Sequence, residues 1–186
     1  MIARVPENRL GKMPPLQRIA SKIRPVPDFP KPGIVFRDIT PLMRDPDILR
    51  LAVMSLLEPF RDTPVDIVIG MEARGFVFGA LAAWELGAGF VPLRKPGKLP
   101  CDVEGVDYDL EYGAARLEVH RDGLEAGDRV LVVDDLIATG GTAAASCNLV
   151  ERLGARVAGC AFVIEIEGLG GRDRLAGYPV HSLLHY

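Results

Sequence analysis

Apolar positions along the chain alternate between two patterns. Short, mostly apolar runs occur at Val65–Ile69, Phe90–Leu93, Val130–Val133, Arg156–Ile166 and Val180–Leu184, and Val130–Val133 is continuous. Their length and β-branched content suit strands buried on both faces of a sheet. Between them lie segments with apolar residues at helical spacing. These are Ile48, Leu51, Ala52 and Leu56; then Phe78, Leu81, Ala82 and Leu86; then Ala144, Cys147, Leu149, Val150 and Leu153, with Gly154 as a C-terminal stop. Strand and helix in alternation predict an α/β chain with a mainly parallel sheet of about five strands and helices on both faces. Two segments depart from this rhythm. Tyr108–Gly113 and Ala115–His120 read as two short strands or a hairpin, and the second alternates as a half-exposed strand does. Residues 28–42, with three prolines and a glycine around an apolar Ile34-Val35-Phe36 centre, read as a stiff irregular connection. Leu16, Ile19, Ala20 and Ile23 predict one short helix before it, stopped by Pro25 and Pro27, and residues 1–12 read as a loose end.

Composition narrows the class. The chain has 186 residues, 48% of them hydrophobic and 25% charged, which suits a single domain with a substantial core. A net charge of −3 provides no basic footprint for nucleic acid. No apolar run approaches the ~20 residues of a membrane span. Cys101, Cys147 and Cys160 have no paired spacing, and His120, His181 and His185 form no ligand pattern. The expectation is a soluble, cytoplasmic protein that binds neither nucleic acid nor membrane, with Cys147 and Cys160 as core residues.

The densest chemistry follows the Val130–Val133 run. Asp134 and Asp135 are adjacent, and Ala138-Thr139-Gly140-Gly141-Thr142 leads into a helix. Gly140 and Gly141 allow successive amides to face one concavity, and the helix start adds the positive end of its dipole. Thr139 and Thr142 add hydroxyl donors. Ionised carboxylates only accept hydrogen bonds, so the acidic pair suits the vicinal hydroxyls of a ribose or a divalent cation. An isolated acidic pair or glycine turn is commonplace; the ordered string spells a site for a sugar carrying its own phosphate. It lacks the lysine of a P-loop and the G-x-G-x-x-G of a dinucleotide site. Gly168–Gly171 is glycine-rich too, but no strand feeds a helix there at the needed spacing.

The string VVDDLIATGGT resembles the 5-phosphoribosyl 1-pyrophosphate (PRPP) motif of the type I phosphoribosyltransferases, in the form typical of the adenine-specific branch. Further segments match in order: F-P-x-P-G-I-x-F-R-D-I-T-P from Phe29, E-A-R-G-F from Glu72, R-K-x-G-K-L-P from Arg94 and Y-x-L-E-Y-G from Tyr108. The resemblance covers roughly residues 27–186. It implies one phosphoribosyltransferase domain over 1–186, with 1–24 as an extension and helix and about 25–45 as a small hood over the base site. It also implies a reaction of adenine with PRPP to give AMP and pyrophosphate.

Residue by residue, the resemblance assigns Asp134, Asp135 and Ala138–Thr142 to ribose and 5′-phosphate. Glu72, Ala73, Arg74, Arg94, Lys95 and Lys98 fall to pyrophosphate, with a non-proline cis peptide at Glu72–Ala73. Val35, Phe36, Arg37 and Ile166 fall to adenine, Val35 through its backbone N–H and C=O. Glu111 and Tyr112 lie on a closing loop and join Arg74 as catalytic, Glu111 as base or proton relay. Mg2+ is the implied cofactor, held mainly by PRPP and not directly by protein ligands, and the implied assembly is a homodimer. Two rivals share the fold: a phosphoribosyltransferase for guanine, hypoxanthine or xanthine, and a non-catalytic sensor of PRPP or purine.

Overall fold

The computed structural model describes residues 13–109 and 114–186. The chain groups into two compact units, Met1–Ser55 and Leu56–Tyr186.

In the first unit, α1 (Pro15–Ala20) is followed by two antiparallel strands, β1 (Arg24–Pro27) and β2 (Val35–Asp38), then α2 (Thr40–Arg44) and α3 (Pro46–Leu57), whose last turn enters the second unit. The 28–42 segment is therefore not the irregular connection expected of its prolines. Only its first half is irregular; Val35–Asp38 pairs in register with Arg24–Pro27. Proline is tolerated because a two-stranded ribbon has free edges. Arg24 and the Asp38 carboxylate form an ion pair across the ribbon. The other Asp38 oxygen accepts from Thr40 N at 2.9 Å and Thr40 Oγ1 at 2.6 Å, which starts α2. Between the strands the Phe29–Pro30 bond is cis, and the Asp28 carboxylate accepts the Gly33 amide at 2.8 Å. The Phe29 and Phe36 rings meet edge to face, 5.3 Å apart.

The second unit carries the parallel sheet. Its strands are β3 (Ile67–Met71), β4 (Gly89–Leu93), β7 (Arg129–Ile137), β8 (Arg156–Glu165) and β9 (Val180–His185), in the order β4-β3-β7-β8-β9. Every pairing between them is parallel. Two helices pack on this sheet, α4 (Gly75–Leu86) and α5 (Gly141–Arg152). A separate antiparallel pair, β5 (Val103–Asp109) and β6 (Ala114–His120), resolves the two-strand alternative as a ladder running from Val103↔His120 to Asp109↔Ala114. This five-stranded α/β architecture is the one expected from the alternating pattern.

Burial explains the strand composition. Val130, Leu131, Val132 and Val133 on β7 and Cys160 to Ile164 on β8 have no accessible surface; α4 and α5 pack on β7, and α5 on β8. α4 approaches β3 and β4 closely because glycine lines the contact. A methyl on Gly79 would sit 2.8 Å from the Phe90 ring and 3.3 Å from Gly70 Cα. Gly154 closes α5 with φ +82, its amide bonded to Glu151 O at 2.9 Å, as the sequence predicted. Cys147 and Cys160 are buried core residues with their sulfurs 3.6 Å apart. Among the described residues no helix is long and apolar enough to cross a membrane.

Strand order fixes where a ligand belongs. From β3 the chain moves outward to β4 on one side, then returns to β7 on the other and continues to β8 and β9. The connections leave β3 and β7 in opposite directions, so a crevice opens at their carboxyl ends.

Candidate active site

Two segments meet at that crevice. β3 runs into Glu72-Ala73-Arg74, where the Glu72–Ala73 peptide is cis, as expected, and Gly75 begins α4. β7 pairs with β3 from Ile67↔Val130 to Gly70↔Val133, which brings Asp134 and Asp135 alongside. The sequence placed the acidic pair after the strand; it lies within it, since β7 continues to Ile137 and pairs there with Glu165 of β8. Leu136 and Ile137 are themselves apolar, so the strand does not end at its two charges.

That placement sends the two carboxylates into different surroundings. Asp134 turns one oxygen back to the Asp135 amide at 2.8 Å and lies against Gly75, where a methyl would stand 2.7 Å from Oδ1. Burial of its carboxyl, reinforced by the neighbouring Asp135 charge, raises its pKa well above the ordinary carboxylate range. Asp135 instead forms an ion pair with Arg74 at 2.7 Å, its side chain 8% exposed against 44% for Arg74. Sequence reasoning assigned Arg74 and Asp135 to different ligand groups; the structure pairs them with each other.

The basic loop after β4 is organised in a similar way. Glu72 accepts from Arg94 Nε at 3.3 Å and the Lys95 amide at 3.2 Å, and pairs with the Lys98 ammonium. Main-chain bonds join Arg94 to Glu118 of β6 at 2.9 and 2.8 Å, and the Glu118 carboxylate accepts the Gly97 amide at 3.1 Å. Glu72 is thus the anchor of the basic loop.

Two cavities occupy the crevice. The larger, about 960 Å³, is lined by Glu72, Ala73, Arg74, Lys95, Asp134 and Asp135, and by Asp107, Tyr108 and Arg116 from the β5–β6 pair. The smaller, about 130 Å³, is walled by Ala138, Thr139, Gly140, Gly141 and Thr142. Asp134, Leu136 and Thr142 line both. Gly140 has φ +77, a conformation side chains disfavour, and caps the N-terminus of the 12-residue α5. The small cavity is therefore of phosphate size and sits at the positive end of a helix dipole.

Glu111 and Tyr112 lie outside the described residues. Val35, Phe36 and Arg37 are on β2 of the first unit, where Val35 is exposed and the other two are half-buried. Ile166 follows β8, donates to Ile137 O at 2.9 Å and is not among the described residues lining either cavity. Sequence reasoning passed over Gly75, whose missing side chain makes room for Asp134. It also missed Tyr108, whose hydroxyl lies 3.3 Å from Thr142 Oγ1. A glycine opening a helix after a charged loop was the available signal for Gly75, and Tyr108 opens the matched Y-x-L-E-Y-G segment. Among the described residues no three His, Cys, Asp or Glu side chains converge as a metal-binding group.

An acidic pair on a central strand, followed by an anion-sized loop at a sheet's switch point, defines a phosphoribosyltransferase site. A phosphoribosyl transferase domain model matches residues 47–181. An adenine phosphoribosyltransferase of Methylococcus capsulatus is 68% identical over 171 residues, 92% of this chain and all of the relative. The solved adenine phosphoribosyltransferase of Rhodothermus marinus superposes with a TM-score of 0.88 at 54% identity, over 92% of this chain and 98% of that one. The Saccharomyces cerevisiae enzyme, solved with an imino-altritol bisphosphate and adenine, gives a TM-score of 0.86 at 40% identity, over 91% and 98% of the two chains. The chain belongs to the adenine phosphoribosyltransferase family.

The ion pairs around Glu72 predict an acid response. Its pKa falls from the ordinary 4.5 to about 2, chiefly through the Lys98 hydrogen bond, opposed by burial and helped by the Lys95 amide. A depressed carboxyl pKa stabilises the fold above its unfolded value and loses that contribution as pH falls through the folded value. Glu72→Gln is expected to destabilise by ~1–2 kcal/mol near neutrality. Urea denaturation should show the gap from wild type closing between about pH 4.5 and about 2. A gap independent of pH contradicts it.

Proposed function

We infer that the chain transfers the 5-phosphoribosyl group of PRPP to adenine, releasing pyrophosphate and forming AMP. The observation that carries this reading is the acidic pair of β7, with Asp134 lining both the 130 Å³ loop cavity and the larger cavity and Asp135 lining the larger one with its cations. A 5′-phosphate fits the loop amides, the ribose hydroxyls fit Asp134 and Asp135, and the diphosphate fits the Arg74 and Lys95 side. The named relatives support adenine as acceptor, as does the yeast relative solved with adenine.

In the reaction the bond from the anomeric carbon to pyrophosphate oxygen breaks and the bond to adenine N9 forms. The N9 proton passes to a base, for which Glu111 is proposed, with Tyr112 closing the site. Positive charge grows on the ribose as the leaving group departs, and the adjacent carboxylates lie where it develops. Ligand entry must open the Arg74–Asp135 pair, freeing the guanidinium for the diphosphate and the carboxylate for a ribose hydroxyl. Arg94, Lys95 and Lys98 are proposed to relieve the diphosphate's charge, with Glu72 holding Arg94 and Lys98 in place. Mg2+ would be held mainly by PRPP and would supply charge neutralisation to the diphosphate; Asp134 and Asp135, hard oxygen donors, would meet it only through its hydration shell.

The whole chain is taken as one transferase domain, with residues 25–45 as the hood for base recognition. Val35 presents one N–H and one C=O, which suits the N1 acceptor and exocyclic amine of adenine, with Phe36, Arg37 and Ile166 around the ring. A 6-oxo purine would set carbonyl against carbonyl. Exposed apolar side chains at Phe29, Ile34 and Val35 are in keeping with a binding surface. A cytoplasmic location belongs to the same reading.

A homodimer is also proposed. Val77, Leu81 and Trp84 form an exposed apolar stripe on α4, with Trp84 86% exposed. A second copy of the chain is the proposed occupant. Sedimentation at micromolar concentration should return twice the 20.2 kDa chain mass. A single-chain mass rejects the dimer.

Turnover tests the reaction. Wild-type protein with PRPP and Mg2+ is expected to convert adenine to AMP, with guanine, hypoxanthine and xanthine slower by roughly 10⁴-fold. Glu111→Ala and Tyr112→Phe are expected to lower kcat by about 10²-fold or more. Equal rates on a 6-oxo purine reject the base assignment, no product from any base favours a sensor, and unchanged kcat in both variants rejects a chemical role for the loop.

A further inference from the structure

The glycine-rich turn after β8, set aside as a motif on sequence grounds, makes a close contact beneath the phosphate-sized loop. Gly171 is buried, and a methyl on it would meet Ile137 Cγ1 at 2.9 Å and the Ala138 carbonyl carbon at 3.1 Å, with the carbonyl oxygen nearer still. The contact is reciprocal: a methyl on Gly140 would stand 2.9 Å from Gly171 Cα. Two backbones therefore touch at the base of the loop, with no side chain between them. Gly140 is also the residue at φ +77 that starts α5, so its position decides where the loop amides point.

The turn is itself held firmly. Arg172 forks onto the Glu165 carboxylate at 2.6 and 3.1 Å and donates to Val180 O at 3.0 Å. Glu165 ends β8 directly opposite Ile137, and the Ile166 amide bonds to Ile137 O at 2.9 Å. One helical turn later, Leu175 is 1% exposed in the same core as Ala143, Cys147 and Leu149 of α5. The loop is thus fixed from its own helix and from a separate segment some thirty residues along the chain.

We propose that Gly171, clamped by the Arg172–Glu165 fork, is a positioning residue for the 5′-phosphate loop, setting affinity for the phosphoribosyl substrate without touching it. The inference rests on the reading that Ala138–Thr142 receive that phosphate. A methyl at Gly171 pushes Ala138 and Gly140 from below and turns the amides away from their anion. A displacement of this kind costs roughly ten- to hundred-fold in a positioned interaction. Of the residues proposed for adenine, Val35, Phe36 and Arg37 lie in another segment, and Ile166 meets the loop through its amide's bond to Ile137 O at 2.9 Å.

Steady-state kinetics of Gly171→Ala with each substrate varied in turn tests this. The expected result is a KM for PRPP raised roughly ten-fold or more, a KM for adenine within about two-fold of wild type, and weaker ribose 5-phosphate binding by calorimetry. A merely structural role moves both KM values together or lowers only the active fraction. Should Gly171→Ala not accumulate as folded protein, Arg172→Lys carries the same test. It removes the planar fork without adding bulk, and the same selective rise in the KM for PRPP is expected. Unchanged KM values, or a parallel change in both, overturn the proposal while wild-type turnover keeps the function intact. Wild-type protein that makes no AMP rejects the function on which the proposal rests.

Discussion

Parallel pairing of β3 with β7 is the constraint on which the rest of the molecule depends. Gly70 lies opposite Val133, so the chain leaving β3 through Glu72, Ala73 and Arg74 emerges beside Asp134 and Asp135. A slip of one residue would turn every buried side chain of β7 to the other face. The fully buried Val130–Val133 run makes such a slip costly, and that burial holds two adjacent carboxylates at the edge of a hydrophobic core.

Charge management follows from that placement. Two neighbouring carboxylates repel, and the site relieves the repulsion at each of them. Asp134 lies against Gly75 with its pKa raised toward the neutral form, while the buried Asp135 is matched by Arg74. The cations beyond β4 are held by Glu72, and their loop is tied to β6 through Glu118. The charges of the site are thus matched by its own residues.

Much of this was legible in the sequence because it rests on local patterns. The buried strands announce themselves as mostly apolar runs, and Gly140 with Gly141 after an acidic pair marks the anion loop. Three features were not legible, each for a physical reason. The reach of β7 through its acidic pair depends on β8 pairing as far as Glu165, which no local rule carries. The β1–β2 ribbon was hidden by its prolines, since the rule against proline in strands holds for interior strands and not for a free edge. The contact of Gly171 with Gly140 joins segments thirty residues apart and consists of absent side chains, which leave no hydrophobic period to read.

A crystal structure with AMP bound tests the central claim most directly. The 5′-phosphate should lie in the Ala138–Thr142 cavity within hydrogen-bonding distance of its amides. The ribose hydroxyls should lie on Asp134 and Asp135, and the Arg74–Asp135 pair should be open. A nucleotide seated elsewhere, or a phosphate outside that loop, would contradict it.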